Sequence, residues 1–217
     1  MNPDRPTAAE GGHGTRADLP ADLLARLDAL HAEGMAIFER FERDVRSAEF
    51  HPFKPADYGA VVDMLLPFRG ECRTFLEWGS ATGVIAITAD LLGFEAYGIE
   101  IDASLVEVAD DLARRYGSGA RFAAGSLLPD GYEWRSASGD ARLGTIETGD
   151  SGYAKLGKSL SEFDLVYGYP WSGESAMMYD IMQRCGADGA RLLINQGREG
   201  VEVFRVSNGN RREAGTS

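Results

Sequence analysis

The stretch TFLEWGSATGVIAITADLLG sets a carboxylate, Glu77, just ahead of a turn that contains Gly79, Ser80 and Gly83, with an apolar run on each side. An apolar strand running through glycines straight into a helix is the local plan of a nucleotide-binding turn. Gly79 allows a sharp reversal and a close ligand approach, and Gly83 lets the helix pack near the strand and begin with free N–H groups. Glu77 would repel a diphosphate placed on those N–H groups, so the turn suits a ligand that carries positive charge. The next apolar run, EAYGIEID, ends in Glu100, followed by Ile101 and Asp102. A carboxylate at the end of the second strand of such a unit accepts hydrogen bonds from both hydroxyls of an unphosphorylated ribose, so an adenosine-type ligand is expected. The alternative is a pair of glycines that serve packing alone. The ordered set of turn, acid before it and acid on the second strand favours the ligand.

Elements able to position these residues are visible around them. Thr74 to Trp78, Glu95 to Ile101, Arg121 to Ala124, Phe163 to Tyr167 and Arg191 to Asn195 are short and rich in strand formers. The intervals between them are long enough for crossover connections. Helical stretches at Gly83 to Leu92 and Ser104 to Tyr116 alternate with these strands, the second with Asp102 or Ser104 as N-cap and Gly117 as its stop. Alternating strands and helices predict a parallel sheet covered on both faces. Val201 to Val206 follows the fifth strand too closely for a helix and is expected to return as an antiparallel hairpin strand. The predicted fold is therefore α/β, a Rossmann-like, mostly parallel six-stranded sheet of order 3-2-1-4-5-6 with an antiparallel last strand and an N-terminal helical cap.

Apolar residues from Leu23 to Val45 recur on one helical face, predicting a long amphipathic helix from Leu19 to about Ser47 with a break near Gly34. A shorter helix from about Ala56 to Leu66 follows the HPFKP linker. The domain reading is a disordered N-terminus over 1–17, a helical cap over 18–68, a ligand-binding domain over 69–206 and a disordered tail over 207–217. Within the domain, the polar, Gly-rich segment 130–162, in which only YAKLGKSL looks helical, reads as an insertion loop, either a mobile lid or plain surface irregularity.

At these residues the chain resembles the class I S-adenosylmethionine-dependent methyltransferase family, whose first motif has the form acid-x-Gly-x-Gly-x-Gly. Here it reads Glu77, Trp78, Gly79, Ser80, Ala81, Thr82, Gly83, with Ala81 in place of the middle glycine. The resemblance implies that Gly79 to Gly83 runs beside the methionine part of the cofactor, that Glu77 helps anchor its amino group, and that Glu100 and Ile101 meet the ribose side. Gly125, Ser126 and Leu127 would frame the adenine, Ser126 by a hydrogen bond and Leu127 by covering the ring; an ordinary turn is the other reading. Lys54, Pro55 and Tyr58 stand where such enzymes place a lid.

The fourth strand closes on Tyr167, Gly168, Tyr169, Pro170 and Trp171. Ligands bind at the carboxyl ends of parallel strands, so this segment should face the transferring methyl, with Tyr167 toward the cofactor and Tyr169, Pro170 and Trp171 toward the acceptor. It is partly similar to the Asn/Asp-Pro-Pro-aromatic motif of amino-group methyltransferases; Gly168 and Tyr169 depart from it. No catalytic residue can be assigned. His51 alone among the histidines lies near the expected mouth, and an exposed or packing role suits it better than a base.

Composition narrows the partners. Of 217 residues 44% are hydrophobic, enough for one sizeable core, and 34 acids against 22 bases give a net charge of −12, which disfavours nucleic acid. Arg114, Arg115 and Arg121 could form a local basic patch, or simply a solvated helix end. Two distant cysteines, Cys72 and Cys185, support neither a disulfide framework nor a metal site. No apolar run is long enough to span a membrane, and a cytoplasmic protein is expected. The expected function is methylation of a small-molecule or protein acceptor. The alternatives are a non-catalytic adenosine-ligand binding module and an NAD-dependent oxidoreductase, the last opposed by Glu77 and by the lack of Gly-x-Gly-x-x-Gly.

Overall fold

The computed structural model describes residues 14–44, 56–133, 149–170, 174–196 and 200–207. Six strands form one sheet in the order β3-β2-β1-β4-β5-β6: β1 Thr74–Trp78, β2 Glu95–Glu100, β3 Arg121–Ala124, β4 Leu165–Gly168, β5 Arg191–Asn195 and β6 Val201–Arg205. The first five are mutually parallel and β6 returns antiparallel to β5, from Asn195 opposite Val201 to Arg191 opposite Arg205. This is the predicted Rossmann-like sheet. β1 is buried along its whole length because it is central and covered on both faces, which is why it reads as an unbroken apolar run around one acid.

Side chains alternate between two cores. Phe75, Leu165, Tyr167 and Leu193 face a layer built by α1 (Ala21–Asp44), α2 (Tyr58–Leu65), α3 (Val84–Leu91) and α4 (Ala103–Arg115). Leu76, Trp78, Ile99, Val166 and Leu192 face α5 (Gly152–Leu156) and α6 (Ser175–Cys185), where Tyr153, Met177, Met178 and Ile181 are buried. Glu77 falls in the first series, between Phe75 and the helices of the N-terminal half.

The expected break at Gly34 does not occur; α1 is continuous through it. A Cβ at Gly34 would lie 2.6 Å from Val84 Cγ2 and 3.4 Å from the Tyr58 ring. Gly34 therefore marks the point where α1 crosses the start of α3, and close approach outweighs the ~0.5–1 kcal/mol that a mid-helix glycine costs. One turn earlier His31 Nε2 lies 3.0 Å from Thr88 Oγ1, and burial pushes the imidazole down to about 4, keeping it neutral.

Two segments read as irregular in the sequence carry local structure. At residues 14–18, Thr15 donates through its amide and hydroxyl to Asp18 Oδ2 at the start of a short 3-10 turn, Arg16–Asp18, and Arg16 donates to the Gly59 carbonyl and pairs with Asp63, docking this turn on α2. Within 130–162, the described residues 149–162 are no surface excursion. They carry the chain from β3 back to β4 through α5, and the Tyr153 hydroxyl accepts from Trp78 Nε1 at 2.7 Å in the core. Pairing of the isolated polar segment with the sheet was invisible in its composition. The remaining disorder expectations, for 1–13 and 208–217, fall outside the described residues.

Candidate functional site

The strand order reverses between β1 and β4, and a ligand crevice is expected where their carboxyl ends part. A crevice opens there, lined by Ala56 and Tyr58, by Glu77 through Thr82, by Val84 and Ile85, and by Tyr167 and Tyr169. The lining holds one carboxylate, three tyrosines and a tryptophan, and among the described residues no Lys, Arg or His.

The turn is held by its own amides. Gly79 N and Ser80 N both donate to the Ile99 carbonyl, at 2.9 and 3.0 Å, and Gly83 N donates to the Ser80 carbonyl at 2.7 Å. Gly79 has φ 68° and open space where a Cβ would be, so a ligand can reach its backbone. Gly83 has φ 74°, and a Cβ there would meet Phe122 at 2.5 Å and Ala109 at 2.8 Å. Ala81 adopts the left-handed conformation, φ 45°, that a glycine would adopt at no steric cost. The loop thus keeps a glycine-like path with alanine at its middle.

Glu77 is 4% exposed. Its Oε2 accepts from Ala86 N at 2.9 Å, within the first turn of α3, for which Gly83 offers no capping side chain. Burial, opposed by that hydrogen bond and reinforced by the Glu100 charge, pushes the Glu77 carboxyl well above its ordinary value. The hydroxyls of Tyr58 and Tyr167 are pushed upward, first by burial and also by Glu77. Tyr167 accepts from Asn195 Nδ2 at 2.9 Å, a support from β5 that no motif signalled.

Glu100, 7% exposed, lies behind the turn. Its Oε2 accepts from Ala81 N at 2.8 Å and its Oε1 from Asp102 N at 3.0 Å. Burial raises its pKa and these amides pull it back. Each oxygen retains a second lone pair for a further donor. Ile101, just past it, is 37% exposed at the same edge. The Asp102 side chain, by contrast, caps α4 through Ser104 N.

The turn after β3 differs from expectation. Ser126 N donates to the Asp150 carbonyl and Gly152 N to the Ser126 carbonyl, both at 2.9 Å, while Ser126 Oγ accepts from Leu128 N at 3.1 Å. A Cβ at Gly125 would meet the backbone of Asp150 and Gly152 at 2.8 Å. Leu127 is buried in the α5/α6 core. Residues 149–152 close over this turn.

Of the acceptor-side residues, Tyr169 is partly exposed at the crevice and Pro170 is half-buried. Trp171 lies outside the described residues, as do Lys54, Pro55 and His51. The arginines form no basic patch at the site: Arg114 and Arg115 pair with Asp111, Arg115 also with Glu33, and Arg121 with Glu95. Among the described residues no metal-binding group is present and no helix is long and apolar enough to cross a membrane.

Fold and crevice together define a Rossmann-like α/β protein with an acidic, aromatic crevice at the switch point of its sheet. No family model matches the sequence, and no curated protein matches it either. Solved structures resemble it at low identity. An RNA methyltransferase from Salinibacter ruber in complex with S-adenosyl-L-homocysteine is 20% identical, with 70% of this chain and 92% of that one covered at a TM-score of 0.49. A putative caffeoyl-CoA O-methyltransferase from Staphylococcus aureus is 12% identical, covering 79% and 73% at 0.45. The C-terminal domain of precorrin-6Y C5,15-methyltransferase from Rhodobacter capsulatus is 18% identical, covering 68% and 67% at 0.41. What the crevice can hold is decided by its own residues.

Proposed function

We propose that the protein binds S-adenosylmethionine in this crevice and transfers its methyl group to a small-molecule or protein acceptor. The observation that carries this is the lining itself, a buried carboxylate and aromatic rings around an open glycine turn, with no cation among the described residues. A dinucleotide diphosphate gains nothing from a Glu77 that holds its proton, whereas a ligand with an ammonium and a sulfonium can draw that proton off, pair with the carboxylate and lie against aromatic faces. These features favour the methyl donor over NAD.

The residues fit the group. Gly79 and its neighbours would lie along the methionine part, Glu77 would face its ammonium, and Glu100 would accept from the ribose hydroxyls. When bound, the cofactor supplies a methyl group already activated on sulfur. The protein then has to align and desolvate the reactants, and no dedicated base is required. Tyr58 and Tyr167 exclude water from the buried side, and Tyr169, Pro170 and Trp171 would orient the acceptor. The net charge of −12 favours an acceptor other than nucleic acid.

Calorimetric titration with S-adenosylmethionine, S-adenosylhomocysteine and NAD tests the proposal. We expect heat from the first two and none from NAD, and a higher melting temperature with S-adenosylhomocysteine, since a ligand at 100 times its Kd stabilises the native state by ~2.7 kcal/mol. Binding of NAD without either sulfur ligand would overturn it.

A further inference from the structure

Tyr58 lines the crevice from α2, a helix of 8 residues that begins at Tyr58 itself. So short a helix keeps its first turn only where other groups fix it, because nucleation costs more than a few backbone bonds return. Two side chains do so here. Asp57 caps the helix, accepting from Ala60 N at 3.1 Å. The other side chain comes from 43 residues earlier: Arg16 donates through Nη2 to the carbonyl of Gly59, the residue after Tyr58. Its Nε, shielded from water, faces Asp63 Oδ1 at 3.3 Å one turn further along.

Both partners are prepared for this contact. Arg16 opens the 3-10 turn that Thr15 and Asp18 tie together, and Leu19, 6% exposed, anchors the chain in the core directly after it. On α2, a Cβ at Gly59 would lie 3.2 Å from both Arg16 Nη2 and Asp57 Oδ1, so the glycine leaves the guanidinium its place. The Arg16–Asp63 pair is solvent-exposed, and such pairs contribute little; the charge-assisted bond to the Gly59 carbonyl supplies the directional hold. From α1, His31 lies 5.2 Å from the Tyr58 ring, centroid to centroid, and Gly34 leaves room for the ring edge. Arg16 itself does not line the crevice, so its effect on a ligand must pass through Tyr58.

We infer that Arg16 is a positioning residue for the crevice: its bond to the Gly59 carbonyl fixes the first turn of α2 and so sets Tyr58 against the ligand. The inference rests on the proposed function.

Calorimetric titration of the full chain with S-adenosylhomocysteine, at a temperature where every variant is folded, compares wild type with Arg16→Ala, Tyr58→Leu, the double variant and Arg26→Ala. Arg26 is the control for docking alone, since it ties α1 to the Tyr116 carbonyl and does not line the crevice. Arg16→Ala should bind at least fivefold more weakly than wild type, and Arg26→Ala within twofold. Tyr58→Leu should also weaken binding, and adding Arg16→Ala to it should cost no more than a further twofold, because the two residues act as one unit. In the empty proteins, the Ala60, Val61 and Val62 amides should exchange at least fivefold faster in Arg16→Ala than in wild type. Wild-type affinity in Arg16→Ala, a loss that persists in the Tyr58→Leu background, an equal loss in Arg26→Ala, or unchanged exchange in α2 would each overturn the inference while the cofactor reading stands. If wild type does not bind S-adenosylhomocysteine, both fall.

Discussion

Replacing Glu77 by glutamine removes a titratable group from the centre of the fold while keeping its shape and its acceptor for Ala86 N–H. Burial, with a further push from Glu100, raises the folded carboxyl well above the ordinary 4.5, so the native state retains a proton that the unfolded chain releases near that value. The sign follows. The stabilisation is complete below about 4.5 and is lost as pH rises toward the folded pKa, because the native state binds more protons than the unfolded one across that window. The slope approaches ~1.4 kcal/mol per pH unit where Glu77 is protonated only in the folded state. Urea denaturation of wild type and Glu77→Gln, followed by circular dichroism at pH 5, 6, 7 and 8, isolates the effect in the difference between the two proteins. The variant should gain on wild type as pH rises. Parallel profiles, or a variant that loses ground with rising pH, would refute the assignment of a buried, proton-holding Glu77. The same carboxyl must ionise to face an ammonium, so S-adenosylhomocysteine should release a proton on binding wild type and none on binding Glu77→Gln, as read by calorimetry in buffers of different ionisation enthalpy.

Glu100→Ala should weaken S-adenosylhomocysteine by about 1–3 kcal/mol, from lost ribose contacts and from release of the Ala81 and Asp102 amides that the carboxylate holds; unchanged affinity in a titration would move the ribose site elsewhere. Gly34→Ala should destabilise the protein by about 1–3 kcal/mol in urea denaturation, because the new methyl falls 2.6 Å from Val84 Cγ2 and overrides the gain in helix propensity. A more stable variant would show that α1 does not sit on α3 there.

The sheet was legible in the sequence because its strands are covered on both faces. β1, β3 and β5 begin and end where their apolar runs do, and the hairpin to β6 follows from the short interval after Asn195. β4 is shifted: it starts at Leu165, since Phe163 closes a 3-10 turn at Leu160–Glu162, and Asp164 between them accepts from the Arg73 and Thr74 amides with its side chain and from Arg191 N with its carbonyl. The acids Glu77 and Glu100 and the glycines between them were also legible, because a sharp turn and a buried charge each restrict the residue types that can stand there. Tertiary contacts alone decided the rest. Gly34 looks like a helix breaker until α3 is seen against it, and Thr15 to Ala17 look like polar tail until Arg16 reaches Gly59 and Asp63. Ser126 appears available to a ligand until residues 149–152 close over it, and Ser151, in a polar and Gly-rich stretch, becomes a buried orphan only by that closure. Periodicity and turn chemistry record what a residue's neighbours in the chain require. A hydroxyl's burial, a glycine's clearance and a carboxyl's proton depend on what arrives from distant segments, and only the packed fold brings those segments together.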